Sequence, residues 1–473
     1  MIPKLLTRRR FLRRLFHSLI GITLLPLAAC VPPVKKLLPH PLLASMTSRG
    51  EAAAPVRFLR QLVTKDPAVS RYIAWQSDMD TPMDVELIEA GHVKGSLHPA
   101  GRRTLSDGGE TNRLYEVLLT DLERDASYRY RIRSGVNAWS DWHEIRPVAH
   151  TSSASALSGA PPSDLSASAG SAVLSAVEGD TAHTGAFTAL IFPDSQCDGD
   201  YTVVHDITSL ARKNHPEASL AIFMGDQVDN GESPSHWRGW NEAVSPLIAD
   251  LPAAVLMGNH ETYALRWQMR VPHAHLAYFP LPANGTSLEG YFSSFDCGCC
   301  HFILLNTQQE ELEATGLVPS LTETQLAWLE DDIAQSTAPW NIVLMHKDIV
   351  EYDYPDVHDT ETGDISPTGR LFMPHFDRLR IDLVFTAHQH SYRRLGHLKD
   401  FARDETGPYY IDTGNCGNCY YDVPFNDRLE IARLPQPERG NYLTLEAARE
   451  RLTIRCYLAD GSPADACDLY KNG

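Results

Sequence analysis

From residue 187 onward the chain alternates short unbroken apolar runs with longer stretches in which apolar residues recur every three or four positions. "FTALIF", "SLAIFMG", "WNIVLMH", "IDLVFTAH" and "PYYIDTG" are runs of the first kind, as expected of strands buried on both faces. "YTVVHDITSLARKNH" places Val203, Val204, Ile207, Leu210 and Ala211 on one helical stripe. "TETQLAWLEDDIAQS" does the same for Leu326, Leu329 and Ile333, with Thr322 and Gln325 at the spacing of a capping box. Strands alternating with helices predict an α/β unit, and each strand ends in residues able to bind or react, where open α/β sheets usually carry their sites.

The pattern before this unit has the other period. From about residue 54 to 150, short strands separated by turn signals predict an all-β sandwich. In "SYRYRIRSG", Tyr128, Tyr130 and Ile132 share one face and Arg129, Arg131 and Arg133 the other, as in a half-buried strand. "YIAWQS" supplies Trp75 as a large core side chain, and the turn from Leu122 to Tyr128 resembles that of fibronectin type III domains. No catalytic pattern stands out there. Residues 151–183 are dominated by Ser, Ala and Gly and read as a linker, which leaves 184–473 for the α/β unit.

The N-terminal end reads as an address. In residues 1–29 a basic head precedes an apolar run shorter than the roughly 20 residues that cross a bilayer, the pattern of a signal peptide. Thr7-Arg8-Arg9-Arg10-Phe11-Leu12-Arg13 resembles the twin-arginine export signal, and Leu27-Ala28-Ala29-Cys30 resembles a lipobox, whose cysteine is lipidated. These imply a periplasmic or cell-surface lipoprotein anchored in the membrane through Cys30, with residues 30–53 as a tether. Without the six leader bases, 36 of the 42 Lys and Arg face 60 acids, a formal charge of −24. Such a chain repels polyanions, so nucleic acid is excluded as a main partner.

Five stretches at strand ends carry the chemistry: "FPDSQ" with Asp194 and Gln196, "MGDQVDNG" with Asp226, "LMGNHE" with Asn259 and His260, "VLMH" with His346, and "TAHQH" with His388 and His390. Singly, Asp-Gly and Gly-Asn pairs are turn formers and a lone His is commonly structural. Together and in this order, over about residues 187–420, they resemble the calcineurin-like metallophosphoesterase superfamily. "FPLPANGTSLEGYFSSFDCGCCHFILLNT" is similar to the insert and hairpin of members related to purple acid phosphatases, which carry a fibronectin-like domain in front.

The resemblance implies a four-layer α/β/β/α fold and two metal ions, Fe, Mn or Zn. Asp194, Asp226, His390 and Gln196 would bind the first, and Asp226, Asn259, His346 and His388 the second. Asp226 would bridge them, a metal-activated water would attack the phosphorus of a small phosphate ester, and His260 would contact the phosphoryl group or protonate the leaving oxygen, oriented by a neighbouring acid. Mixed nitrogen and oxygen ligands suit these metals. Three positions depart from the pattern. Asp229 replaces the tyrosine that gives purple enzymes their ferric colour, Gln196 stands where most members have His, and Ala387 replaces Gly before His388. Tyr392 and Arg394 could line the substrate pocket or pack beneath the ligands.

Besides Cys30, eight cysteines remain. In an exported chain they favour disulfides, with "CGCC" and "CGNC" as two clusters facing each other across the site and a structural zinc as the alternative. Between His346 and His388, residues 347–381 read as a long polar loop, a lid or a solvated insertion. The expected activity is hydrolysis of phosphate monoesters. A phosphodiesterase on nucleotides or lipid head groups, and a non-catalytic metal-containing binding lipoprotein, are the alternatives.

Overall fold

The computed structural model describes residues 55–148, 185–351 and 364–471, apart from 79, 81–82, 136–137, 422–427 and 436–438. The leader, the tether and the linker at 151–183 lie outside the described residues.

In the strand Phe187–Phe192 every side chain is buried, because alternate residues enter different apolar slabs. Ala189 and Ile191 join one cluster, while Leu190 and Phe192 join another. The strand Leu220–Phe223 divides in the same way, and so does Trp340–Met345, whose Ile342 and Leu344 point inward and whose Val343 and Met345 point outward. The inner slab lies between two sheets. One outer slab is closed by the helices Thr202–Asn214 and Pro234–Ile248, through Val204, Ile207, Trp237 and Trp240. The other is closed by Leu321–Gln335 and Pro367–Phe376, through Leu329, Ile333, Phe372 and Phe376. The layer order is therefore α/β/β/α.

At the centre of the first sheet Phe187–Phe192, Leu220–Phe223 and Pro252–Val255 run parallel. At the centre of the second, Cys300–Leu305, Trp340–Met345, Leu383–Thr386 and Tyr409–Thr413 run parallel. The loops that leave these two parallel sets hold the candidate residues.

The N-terminal strands form a sandwich around Trp75, Val85, Tyr115, Tyr130 and Ile132. The Tyr128 hydroxyl accepts from the Glu123 amide at 2.9 Å and closes the turn that begins near Leu122. On the outward face, the Arg131 guanidinium lies 4.3 Å from both the Trp139 and Trp142 rings and pairs with Glu86 at 2.6 Å. One sheet of the sandwich is continuous with the first α/β sheet. Arg57–Leu62 lies parallel to Pro252–Val255, with Gln61 opposite Pro252 and Leu62 opposite Ala253, giving ten strands in one sheet.

Three local expectations are corrected. Thr322 is not a cap: the helix begins at Leu321, the Thr322 hydroxyl bonds Glu313, and Gln325 is buried and holds both the N–H and the C=O of Asn306. The polar loop after His346 contains the helix Pro367–Phe376, started by Ser366, whose hydroxyl accepts from Gly369 N at 2.9 Å, and by a proline at the first position. The cysteines do not face each other across the site. Cys297, Cys299, Cys300 and Cys456 lie in the slab between the sheets, Cys197 and Cys416 lie in the slab under the first pair of helices, and all eight described cysteines are free thiols. Among the described residues no helix is long and apolar enough to cross a membrane.

Candidate metal centre

Each loop at this edge is bent by a residue that the turn requires. Gly225 has φ +105°, and a Cβ there would meet His346 Nδ1 at 2.4 Å. A Cβ on Gly258 would meet Asp226 Oδ1 at 2.1 Å. Three candidate ligands themselves adopt the left-handed region, Asp226 at φ +47°, His388 at +73° and His390 at +52°. Strained backbone of this kind concentrates at functional sites. Ala387 is not among the positive-φ residues, so the replacement of Gly costs nothing there.

The polar partners then aim the side chains. His346 Nδ1 donates to Met224 O at 2.9 Å, and His390 Nδ1 to Cys419 O at 2.7 Å. Each imidazole is thus held in the tautomer that points Nε2 into the site. His346 Nε2 lies 3.2 Å from Asp226 Oδ2 and 3.1 Å from Asn259 Oδ1, and His390 Nε2 lies 3.6 Å from Asp194 Oδ1. The second Asp194 oxygen accepts from His388 N at 2.8 Å, and Asp226 Oδ1 accepts from His260 N at 2.9 Å. The ligand atoms of Asp226, His346 and His388 all lie within 4.8 Å of one another, and so do those of Asp194, Asp226 and His390. The two groups share Asp226.

Buried charge of both signs meets here. Burial works to raise the Asp226 carboxyl, but His346 and His260 outweigh it and hold it below the usual range. Burial pushes the Asp194 carboxyl up, opposed by His390 and His346. Burial would lower both imidazoles, but Asp226 pushes His346, and Asp194 pushes His390, up to about 9. His388 is driven well below its ordinary value by burial and by the neighbouring His346. The chemistry of this donor set fits a cation. Two orphaned acceptors, Asp194 Oδ1 and Gln196 Oε1, are buried here without a hydrogen-bond donor.

Residues 139–392 match the family model described as calcineurin-like phosphoesterase. The chain belongs to that family. Among curated proteins it is similar to purple acid phosphatase 23 of Arabidopsis thaliana, 27% identical over 234 residues that make up 48% of each chain. It is also similar to acid phosphatase type 7 of Mus musculus, 29% identical over 239 residues, 46% of this chain and 50% of that one. The chain thus spans about half the length of the curated relatives it matches. A purple acid phosphatase from yellow lupin (Lupinus luteus) seeds shares the fold with a TM-score of 0.69 over 88% of this chain and 74% of its own, at 16% identity.

Within this phosphoesterase fold, the eight candidate ligand and catalytic positions converge: Asp194, Gln196, Asp226, Asn259, His260, His346, His388 and His390. Gln196 Nε2 lies 3.5 Å from both His260 Nε2 and His390 Nε2. His260 is oriented differently from the expectation. Its Nδ1 donates to the Asp229 carbonyl at 2.8 Å, so a backbone group makes the ring's short hydrogen bond, while Asp226 Oδ2 lies 4.0 Å from Nε2. The Asp229 carboxylate instead accepts from Asp198 N at 2.6 Å. Tyr392 and Arg394 do not line a pocket: Tyr392 is buried and both bond Asp465, at 2.9 and 2.8 Å.

One buried acid beside the ligands escaped the sequence reading. Glu261 is fully buried and accepts from four amides, Asp226 N at 3.0 Å, Gln227 N at 2.9 Å, Val228 N at 3.3 Å and Gly258 N at 2.7 Å. It ties the loop of Asp226 to the loop of Asn259 and His260. Burial and the facing Asp226 push its carboxyl up to about 8, against the pull of the amides. Its adjacency to His260 in "GNHE" was the available signal. Next to His346, the Lys347 ammonium is held by both Glu311 oxygens at 2.8 and 2.9 Å.

Proposed function

We propose that this phosphoesterase hydrolyses phosphate monoesters at a dinuclear metal centre. Asp194, Gln196, Asp226 and His390 hold one cation, and Asp226, Asn259, His346 and His388 hold the other. The membership of Asp226 in both ligand groups carries this reading, because one carboxylate can hold two cations about 3.5–4 Å apart. When bound, Fe, Mn or Zn ions supply the charge that neutralises the phosphoryl oxygens and acidifies the attacking water.

The chain's own residues place the proton. With Nδ1–H donated to the Asp229 carbonyl, a protonated His260 presents Nε2–H to the leaving oxygen and transfers it as the ester bond to phosphorus breaks. The names of the similar purple acid phosphatases favour monoesters. Asp229 takes the position of the tyrosine that colours purple enzymes, so that position supplies no phenolate, and its carboxylate serves the Asp198 amide instead. The cations also offset the repulsion between an acidic chain and its anionic substrate.

The same reading extends to the ends of the chain: export by the twin-arginine route, a lipid anchor at Cys30, and a fibronectin type III-like sandwich, supported by the Tyr128 bond to Glu123 N. A Cys30→Ala variant is expected to move from the membrane to the soluble fraction.

The deciding assay is turnover of para-nitrophenyl phosphate and bis-para-nitrophenyl phosphate with Mn, Zn or Fe added, beside Asp226→Asn. Metal-dependent monoester turnover, lost about a thousandfold in the variant, is expected. Faster turnover of the diester would reassign the enzyme as a phosphodiesterase. Bound metal with turnover of neither ester would favour the binding lipoprotein.

A further inference from the structure

Trp267 is 38% exposed and has φ +61°, a backbone conformation that bulky residues rarely adopt. A hairpin bend of this kind ordinarily takes Gly or Asn. Packing does not call for an exposed indole at such a position, and a strained outlier beside a reactive site points to function. Its ring stands edge-on to His260, with centroids 5.9 Å apart and planes at 88°. Tyr263 completes the cluster 5.8 Å away, and its hydroxyl accepts from Asn259 Nδ2 at 3.2 Å. The indole is therefore one ring's width from the imidazole that faces the metal ligands.

The hairpin that carries it is braced. Ala264 N donates to Gln268 O at 2.8 Å and Trp267 N to Ala264 O at 2.7 Å, while Tyr263 pairs with Met269. From outside, Leu265 N donates to Glu232 Oε2 at 2.8 Å, and Arg270 pairs with Asp107 in a turn of the N-terminal sandwich. The next residue, Gly108, lies so close that a Cβ would meet Glu232 O at 2.2 Å. On the far side of the ligands, the Tyr421 ring lies 4.5 Å from His390. The sandwich thus helps to hold an aromatic surface at the rim of the centre.

Building on the hydrolase reading, we propose that Trp267 is the platform of a leaving-group subsite and that the preferred substrates are aryl phosphate esters. An aromatic ring joined directly to the leaving oxygen, next to His260, reaches the indole. An alkyl group offers it no face to stack on, and a nucleobase beyond a sugar extends past it.

The test uses the metal-loaded, full-length protein and two phosphonates whose P–C bond resists ester hydrolysis, benzylphosphonate and propylphosphonate, with binding measured by calorimetry. The wild type is expected to bind benzylphosphonate about tenfold more tightly. Trp267→Ala should reduce that preference to about twofold or less and leave propylphosphonate affinity unchanged, while Trp267→Phe should retain most of it. A preference that persists in Trp267→Ala overturns the platform and leaves the hydrolase reading intact. Failure of the wild type to bind either phosphonate overturns both.

Discussion

At the scale of single residues, the site depends on groups that would never touch a metal. Glu261 gathers four amides from two loops, and two of these belong to Asp226 and Gly258, so its two acceptor oxygens fix the carboxylate common to both ligand groups. Partners of this kind commonly set metal affinity by about 10–100-fold. Glu261→Gln keeps the shape but places an NH2 where one carboxyl oxygen accepts from two backbone amides. It is expected to fold and to bind Mn²⁺ or Zn²⁺ about 10–100-fold more weakly, measured by calorimetry. Gly258→Ala acts on the same carboxylate from the other side, since its methyl would fall 2.1 Å from Asp226 Oδ1. Displacement of Asp226 should abolish binding at both positions together. Loss at one position with retention at the other would show that the two groups are independent.

Between elements, the hairpin Ser293–Cys297/Cys300–Leu305 is joined to the helix Leu321–Gln335 by a buried imidazole. His301 Nδ1 lies 2.7 Å from Asp296 Oδ1 and its Nε2 2.8 Å from Asp332 Oδ2. Burial would lower its pKa, but the two carboxylates push it up to about 9. Because the folded value lies above the unfolded one, the stabilisation is complete below about pH 6.5 and is lost as pH rises through about 9. His301→Gln should therefore unfold about 2 kcal/mol more easily than the wild type at pH 6, with the gap closing near pH 10 in urea titrations. A gap that does not change with pH would mean that His301 contributes no charge. Elements differ in how much the sequence reveals. Buried parallel strands are legible as apolar runs, and the ligands at their ends as acids and histidines where apolar periodicity stops. Glu261 is not, because only the folded loops bring four amides to one carboxylate. Thr322 and Gln325 mislead because tertiary partners, Glu313 and Asn306, compete successfully for their side chains. The helix Pro367–Phe376 is obscured by Gly369 and Pro374, although Ser366-Pro367 marks its start.

On the scale of the whole molecule, the pairing of the sandwich with the α/β unit has no local sequence signature, since any strand edge offers the same backbone groups. Yet it joins the two halves through one sheet and several buried polar contacts. Gln61 Nε2 donates to Ala249 O at 2.7 Å, and the Tyr130 hydroxyl donates to the same carbonyl at 2.7 Å. Arg60 donates to Tyr278 O at 2.9 Å, with its guanidinium 5.3 Å from the Tyr278 ring, and burial lowers its pKa to about 10. Deleting the sandwich would strip the edge of Pro252–Val255 of its partner and leave Ala249 O and Tyr278 O without these donors, while Arg270 would lose Asp107. Two units joined only by a tether would unfold separately. Units that share a sheet should unfold together. Calorimetry of the mature chain is therefore expected to show one cooperative transition that coincides with the loss of tryptophan fluorescence, and a chain beginning at residue 184 should aggregate when expressed. Two resolved transitions, or a soluble fragment from residue 184 that binds metal with wild-type affinity, would show that the continuous sheet adds little to the stability of either half.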